Sequence, residues 1–376
     1  MSLMHTLGRA LDHARKGTLL TALQRRFAAR RAQEPNRFGV RRPEDTPAVL
    51  AYLSKVACSG PGQQILLVGE SGAYCGAVAA EIQRLGLTSR AITPQTVAGL
   101  DAKALDNVGC ITIASLDARL QLSVARQLVR IPAAASIPLE YVALPHVENA
   151  AIAQYDRYKN EDFVTPLVAE SGDAFYRIYQ RSLERFQQKT EIRDFLDFSQ
   201  ILKSITQRAV PGNVAEFGSY WGHSGWLLSN VLEQLGSDKT LFMFDMFENF
   251  PIEDVGVDRF WSGTHPVDFD SVRAKFSDRP NVKLVKGDFT KTLLDTDTGP
   301  LSFAFIDCDS YRATKFLLEY LWETRMPTGG VVAMEDYGHA ALLGNRVAVH
   351  EFFDGRRDAY TWYSQFSGIF MAVKLA

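Results

Sequence analysis

Four carboxylates stand close together near the C-terminus. Asp307 and Asp309 lie in Phe305-Ile306-Asp307-Cys308-Asp309, and Glu335 and Asp336 in Val331-Val332-Ala333-Met334-Glu335-Asp336-Tyr337. Each group closes a short apolar run of the kind that forms a buried parallel strand. Parallel strands of open α/β sheets present their carboxyl ends to a ligand crevice. Carboxylates converging there repel one another unless something positive sits among them. A hard divalent cation with oxygen ligands fits that need. A single acid at a strand end also serves as a turn former or helix cap. Two clusters at successive strand ends, downstream of a glycine-rich loop, favour the metal.

The elements that must position these acids can be read from residue 212 onward. Apolar runs at Val214–Phe217, Leu241–Phe244, Val282–Val285, Phe303–Ile306 and Val331–Met334 predict strands separated by helical patterns. Ala359–Tyr363 and Gly368–Val373 predict a closing antiparallel pair. This alternation predicts an α/β fold, a Rossmann-like doubly wound sheet with a terminal antiparallel strand pair. Its first loop is Glu216-Phe217-Gly218-Ser219-Tyr220-Trp221-Gly222-His223-Ser224-Gly225. Glycine at a strand-to-helix turn lets the backbone approach a ligand closely. Glu216 suits an ammonium group, so Glu216, Gly218 and Ser224 are candidate cofactor contacts. Asp245 closes the next strand, where Rossmann-like domains bind ribose hydroxyls, although its spacing of 29 residues from Glu216 exceeds the usual figure of about 20. Asp288, after the third strand, could accept from an adenine amino group.

Upstream lies a smaller α/β unit. Gln64–Val68 predicts a strand entering Gly69-Glu70-Ser71-Gly72-Ala73-Tyr74-Cys75-Gly76, followed by a helix over Ala77–Leu85. Cys110–Ala114 and Tyr141–Leu144 predict further strands, with a helix over Ala118–Val129. The G-x-x-G-x-x-x-G spacing is not the dinucleotide fingerprint. This unit resembles the N-terminal nucleotide-sugar-binding unit of some sugar acyltransferases, which implies a ligand. A packing or oligomerisation role is the alternative. The domain plan is therefore a basic helical segment over 1–60, a small α/β domain over 61–150, a helical connector or lid over 151–210 and the main domain over 211–376. In the connector, Phe175, Ile178, Tyr179, Leu183 and Phe186 recur at helical spacing, as do Phe195, Phe198, Ile201 and Leu202. Such aromatic stripes usually face a core.

Composition excludes several classes. A chain of 376 residues with 46% hydrophobic and 22% charged residues is ordinary for a globular protein, and a net charge of -2 gives no pull toward nucleic acid or membrane. Basic residues do concentrate at the start: ten Lys/Arg lie between Arg9 and Arg42 against Asp12 and Glu34. With Leu7, Leu11, Leu19, Leu20, Leu23 and Phe27 they predict a solvated helix docked on its own protein or a neighbouring subunit, in preference to a membrane-surface or nucleic-acid contact. Met1-Ser2-Leu3 ahead of Met4 reads as an added leader. No stretch approaches the roughly 20 apolar residues of a membrane span. Cys58, Cys75, Cys110 and Cys308 form no C-x-x-C pair, which argues against structural zinc and fits a reducing cytoplasm.

The motifs Val214-Ala215-Glu216-Phe217-Gly218, Phe244-Asp245-Met246-Phe247-Glu248, Asp307-Cys308-Asp309-Ser310-Tyr311, Glu335-Asp336-Tyr337-Gly338, Gly344-Asn345-Arg346 and Glu351-Phe352 come in a fixed order. Over about residues 175–376 the chain resembles the macrocin O-methyltransferase family. The resemblance implies an S-adenosylmethionine-dependent enzyme that methylates a sugar hydroxyl of a natural product or saccharide. It implies metal binding by Asp307, Glu335 and Asp336, and a general-base role for Asp309. A bound cation would hold the sugar oxygens and acidify the hydroxyl, whose pKa is otherwise comparable to that of water, about 15.7. The chain departs from the family pattern in having Glu335 in place of an aspartate, and Trp221 in place of a loop arginine. Trp261, Phe260 and Tyr337 are candidate acceptor contacts, and His339 and His350 could reach the mouth of the site. A homo-oligomer is expected. A nicotinamide-dependent oxidoreductase, using either glycine loop and no metal, is the rival enzyme. A non-catalytic binding protein that keeps the cofactor fold is the third reading.

Overall fold

Runs rich in branched and aromatic residues, with no polar face, can be strands only where both faces are covered. The chain places its runs of this type in two sheets. The computed structural model of the protein describes residues 42–58, 60, 62–142, 174–187, 190, 192–251, 256–258, 261–339, 342–365 and 367–376. Most of the expected basic helix, the end of the strand expected over Tyr141–Leu144, and Phe260 lie outside the described residues.

The first sheet holds β1 (Gln64–Val68), β2 (Ser89–Ile92), β3 (Val108–Ile113) and β4 (Leu139–Tyr141), all parallel, in the order β2-β1-β3-β4. Helices α1 (Thr46–Ala57), α2 (Ala73–Arg84), α3 (Ala118–Leu128) and α4 (Pro132–Ala135) accompany it. Strand β2 was not expected. Its residues Ser89-Arg90-Ala91-Ile92 alternate between exposed and half-buried on an edge, so it lacks the continuous apolar run that marks a central strand. The helix expected from Ala77 starts at Ala73, directly after Gly72. The third expected strand is centred earlier, at Leu139–Tyr141.

Helices α5 (Ala174–Arg185) and α6 (Ile192–Gln207) precede the second sheet. Phe175, Ile178, Tyr179, Phe186, Phe195, Phe198 and Leu202 are buried in one cluster with Phe303, Phe305 and Trp226, so these stripes are core. Leu183 is the exception and is 44% exposed.

The second sheet contains β5 (Asn213–Phe217), β6 (Leu241–Asp245), β7 (Val282–Lys286), β8 (Leu301–Ile306), β9 (Val331–Met334), β10 (Ala359–Tyr363) and β11 (Phe370–Lys374). Its order is β10-β11-β9-β8-β5-β6-β7. The strands from β7 to β9 pair in parallel, whereas β11 runs antiparallel to β9 and β10 antiparallel to β11. The expected terminal pair is therefore present, with its second strand two residues later than predicted. Helices α7 (His223–Gln234), α8 (Phe269–Lys275), α9 (Phe289–Asp295), α10 (Tyr311–Thr324) and α11 (Leu343–Phe353) cover the sheet.

Side chains alternate across the pleat. Phe303 and Phe305 join the cluster on the α6 and α7 face, while Ala304 and Ile306 join Leu317, Leu321 and Trp322 of α10 on the other. The strand order reverses between β5 and β8, which opens a crevice at their carboxyl ends. Among the described residues no helix is long and apolar enough to cross a membrane.

Phe198 is fully buried, with its ring centroid 4.5 Å from Phe305 and 6.1 Å from Phe303. Phe198→Ala is expected to cost about 3–5 kcal/mol of unfolding free energy. A shift in the urea midpoint equivalent to less than about 1 kcal/mol would show that α6 does not anchor this face of the sheet.

Candidate active site

The carboxyl ends of β5, β6, β8 and β9 and the loops beyond them enclose a cavity of about 480 Å³. All of Gly218, Ser224, Asp245, Asp288, Asp307, Asp309, Glu335 and Asp336 line it. Glu216 is fully buried just beneath, at the end of β5.

Close packing of neighbouring strand ends brings these residues together. The Asp307 amide donates to the Phe217 carbonyl (2.8 Å), and the Glu335 amide to the Ile306 carbonyl (3.2 Å). Gly218 is where the first loop turns under this ladder, with φ +96°. A Cβ there would sit 1.7 Å from the Asp307 carbonyl oxygen. Glycine is required at that position by both conformation and space. Its part in the site is thus to let β5 and β8 meet.

The acids fall into two sets. Asp307, Glu335 and Asp336 can each offer one oxygen such that the three atoms lie within 4.8 Å of one another. Burial, and then the neighbouring charges of Glu335, Asp336 and Asp309, hold the Asp307 carboxyl well above the usual range. Asp336 is raised well above it too, by burial and by Asp309. Burial likewise pushes Asp309 up to about 7, opposed by its contacts with Asp336 and Trp261 and reinforced by the charge of Glu335. Like charges in a low-dielectric crevice cannot all ionise without a compensating cation. Three carboxylates at this spacing are a fitting oxygen set for a divalent ion. Asp336 is the most constrained of them. Its Oδ2 accepts from the Asp309 amide (2.9 Å) and from Asn345 Nδ2 (3.1 Å).

The second set faces the other end of the cavity. Glu216 Oε1 accepts a 2.5 Å hydrogen bond from Ser224 Oγ, while its Oε2 is buried and has no partner among the described residues. Burial pushes this carboxyl up to about 7, against the pull of the Ser224 hydroxyl. Ser224 thus acts through Glu216. Asp245 accepts from the amides of Tyr220 (2.8 Å) and Phe247 (2.5 Å), which fixes the carboxylate at the tip of β6. Asp288 caps α9 by accepting from the Thr290 amide (3.0 Å) and hydroxyl (2.6 Å), and it also faces the cavity.

His223, next to the loop glycines, is a buried structural residue. Its Nδ1 accepts from the Thr190 amide (3.1 Å), so Nε2 carries the proton and donates to Ser182 Oγ (2.7 Å). Burial lowers its pKa to about 4, helped by the charge of Lys275, and the ring stays neutral. His339 lines the cavity. His350 instead bonds the Tyr337 hydroxyl (3.1 Å) and Asp354 (3.0 Å). Tyr337 packs against Tyr363 and Phe370 and is not among the residues lining the cavity.

Residues 191–358 match the model of the macrocin-O-methyltransferase (TylF) family. This stretch, just under half of the chain, is similar to that family, and the similarity is to an O-methyltransferase. Among solved structures, the O-methyltransferase NovP is 21% identical with a TM-score of 0.44, over 49% of this chain and 81% of its own. The calicheamicin methyltransferase CalS11 is 20% identical with a TM-score of 0.41, over 55% of this chain and 92% of its own. An O-methyltransferase from Bacillus cereus, solved in complex with SAH, is 13% identical with a TM-score of 0.38, over 54% and 91%. No curated protein sequence matches the chain.

Asn345, which the sequence offered within Gly344-Asn345-Arg346 but without a role, orients Asp336 and also bonds Thr314 Oγ1 (3.0 Å). Two further positions escaped sequence reasoning. His265, at φ +56°, stands edge-on to Trp261 (4.7 Å) and Tyr220 (5.3 Å) and builds an aromatic wall beside Asp309. Asp258 sits in a loop with no periodicity, and nothing in the sequence marked it.

The pKa of Glu216 gives a signed expectation. A carboxyl raised from 4.5 to about 7 in the folded state adds stability below pH 4.5, and that stability is lost as pH rises through 7. Glu216→Gln removes the titration. Between pH 5 and pH 8 the stability of the Gln variant relative to the parent should improve by roughly 3 kcal/mol at most. Urea unfolding at both pH values measures this, and a pH-independent gap would place the Glu216 pKa near its ordinary value.

Proposed function

We propose that this protein is a divalent-metal-dependent O-methyltransferase, with Mg²⁺ as the natural ion. It would move a methyl group from S-adenosylmethionine to a sugar hydroxyl of a natural product or saccharide. The observation that carries the reading is a cavity lined by a three-carboxylate oxygen set, with Glu216 buried beneath it and one of its oxygens without a partner among the described residues. The macrocin-O-methyltransferase model that matches residues 191–358 supports methyl transfer to an oxygen.

In this reading Glu216 receives the ammonium of the cofactor on its unpartnered Oε2. Asp245, already fixed by two backbone amides, receives the ribose hydroxyls. Asp288 borders the adenine end. S-Adenosylmethionine supplies, when bound, an electrophilic methyl group on a sulfonium. Asp307, Glu335 and Asp336 hold the divalent ion, which supplies positive charge that makes a neighbouring hydroxyl more acidic. Asp309 takes the proton from the acceptor hydroxyl as its oxygen bonds to the methyl carbon and the sulfur–carbon bond breaks. Burial raises the Asp309 carboxyl above its ordinary value, which makes the carboxylate a stronger base. Trp261 and His265 form the wall against which the acceptor lies. Holding oxygen and methyl carbon in line contributes much of the remaining acceleration.

The reading also includes the four-part division at residues 60, 150 and 210, a cytoplasmic setting and a homo-oligomer. The free thiols of all four cysteines suit a reducing compartment. The rival oxidoreductase has no use for Glu335 and Asp336.

Calorimetric titration should show binding of S-adenosylmethionine and none of NADH. With a sugar acceptor found by screening, Asp309→Asn should lower turnover about 10²–10⁴-fold while cofactor affinity stays within about twofold. An unchanged rate would reject Asp309 as the base. Binding of NADH alone would overturn the methyltransferase reading of the cavity.

A further inference from the structure

A short piece of chain links the small α/β unit of residues 64–142 to the helix that follows Asp309. The Gly256 amide donates to the Ala135 carbonyl (2.9 Å), and its carbonyl accepts from the Leu139 amide (3.2 Å), so Gly256 lies against the start of β4. Val257 is buried in a cluster with Leu66, Leu139 and Tyr141. Asp258, 3% exposed, then turns its carboxylate onto the start of α10. It accepts from the amides of Tyr311 (2.5 Å) and Arg312 (3.2 Å) and from Ser310 Oγ (3.0 Å). Ser310 Oγ in turn accepts from the Ala313 amide (3.2 Å). These are the amides that a helix leaves without internal partners, and a negative charge is favoured there.

A second contact does the same for α11. The Tyr141 hydroxyl, on the last residue of β4, accepts from the amide of Leu343, the first residue of that helix. A third runs from Arg130 to Glu351 (2.9 Å) and on to the Tyr311 hydroxyl (2.7 Å). Both helices carry the site. Asp309 lies immediately before the capped turn of α10, in a left-handed conformation (φ +54°) that a non-glycine residue holds only under external restraint. Asn345, on the first turn of α11, bonds Asp336.

We propose that the N-terminal α/β unit is a positioning scaffold for the catalytic acids. It acts through Gly256–Asp258 and Tyr141, which fix the starts of the two helices that follow the acidic loops. Asp258 and Tyr141 are positioning residues. The proposal rests on the functional reading above only for the roles given to Asp309 and Asp336. A unit that served solely to bind a ligand or to join subunits would need none of these contacts.

Full-length Asp258→Asn, Gly256→Ala and Tyr141→Phe test it by amide hydrogen exchange and by titration with Mn²⁺ and S-adenosylmethionine. Gly256→Ala is informative because its Cβ would meet the Ile137 carbonyl oxygen at 1.7 Å, inside the N-terminal unit and not at α10. In both Asp258→Asn and Gly256→Ala, the Tyr311 and Arg312 amides should exchange roughly five- to tenfold faster. Mn²⁺ should bind several-fold more weakly. S-Adenosylmethionine affinity and exchange across α7 should not change. Tyr141→Phe should expose the Leu343 amide alone. Parental protection of Tyr311 and Arg312 in folded Asp258→Asn and Gly256→Ala would overturn the proposal. If Gly256→Ala does not fold, Asp258→Asn and Tyr141→Phe decide it. A parent protein that binds no Mn²⁺ would count against the metal reading, and the exchange result would still decide on the scaffold.

Discussion

Crowding of carboxylates in a crevice with little water is the constraint around which the second half of this chain is organised. Asp307, Asp309, Glu335 and Asp336 share the ends of two adjacent strands, with Glu216 on the next. Each carboxyl is costly to ionise there, and each ionised neighbour raises the cost for the rest. Such a cluster survives only if protons, hydrogen-bond donors or a cation offset the repulsion. The donors are distributed unevenly. Asp336 and Asp245 each accept two hydrogen bonds from defined groups, whereas Glu216 accepts one. The acids with more donors are shaped by the protein itself. Glu216 Oε2, in contrast, has no hydrogen-bond partner among the described residues.

The left-handed residues mark the same region. Among non-glycine residues, Tyr220, Phe247, His265 and Asp309 all have φ between +46° and +56° and cluster around the cavity. Two of them are explained by Asp245, whose carboxylate takes the amides of Tyr220 and Phe247 and so turns the chain on both sides of it. Asp309 is held by its amide bond to Asp336 on one side and by the capped turn of α10 on the other. Strain of this sort is tolerated where surrounding bonds over-determine the conformation. Tyr220 and Phe247 thus border the Asp245 carboxylate, and Asp309 borders that of Asp336.

This distribution explains what was legible in the sequence. The central strands were readable because burial on both faces leaves an uninterrupted apolar run, as in Phe303–Ile306 and Val331–Met334. The acids were readable because they close those runs. Edge strand β2 was not, since half its residues face solvent and its pattern matches that of a polar loop. The role of Ser224 could not be resolved, because a serine that bonds a ligand and one that bonds Glu216 look alike in sequence. Tyr337 was misplaced for a related reason. An aromatic residue directly after an acid pair can point into the cavity or, as here, back toward Phe370. Asp258 was invisible because its partners lie more than 50 residues away, and no local pattern encodes a cap supplied from another part of the chain.

The relation between the two sheets follows from that cap and from packing together. Leu66, Ile111, Val124 and Leu128 of the first unit share one buried cluster with Val257, Tyr311, Leu343 and Val347 of the second. Separating the units would expose this apolar surface and, in the same step, strip the Tyr141 hydroxyl from the Leu343 amide and the Ala135 and Leu139 partners from Gly256, two residues before Asp258. Buried backbone donors without partners are costly, so the two losses reinforce each other. An interface built only of apolar side chains would hold the units together without specifying the angle at which α10 and α11 leave the crevice. Hydrogen bonds to the first turns specify it, because they are directional and because they sit within a few residues of Asp309 and Asp336. The attachment that joins the two sheets is thus also the one that aims the acids.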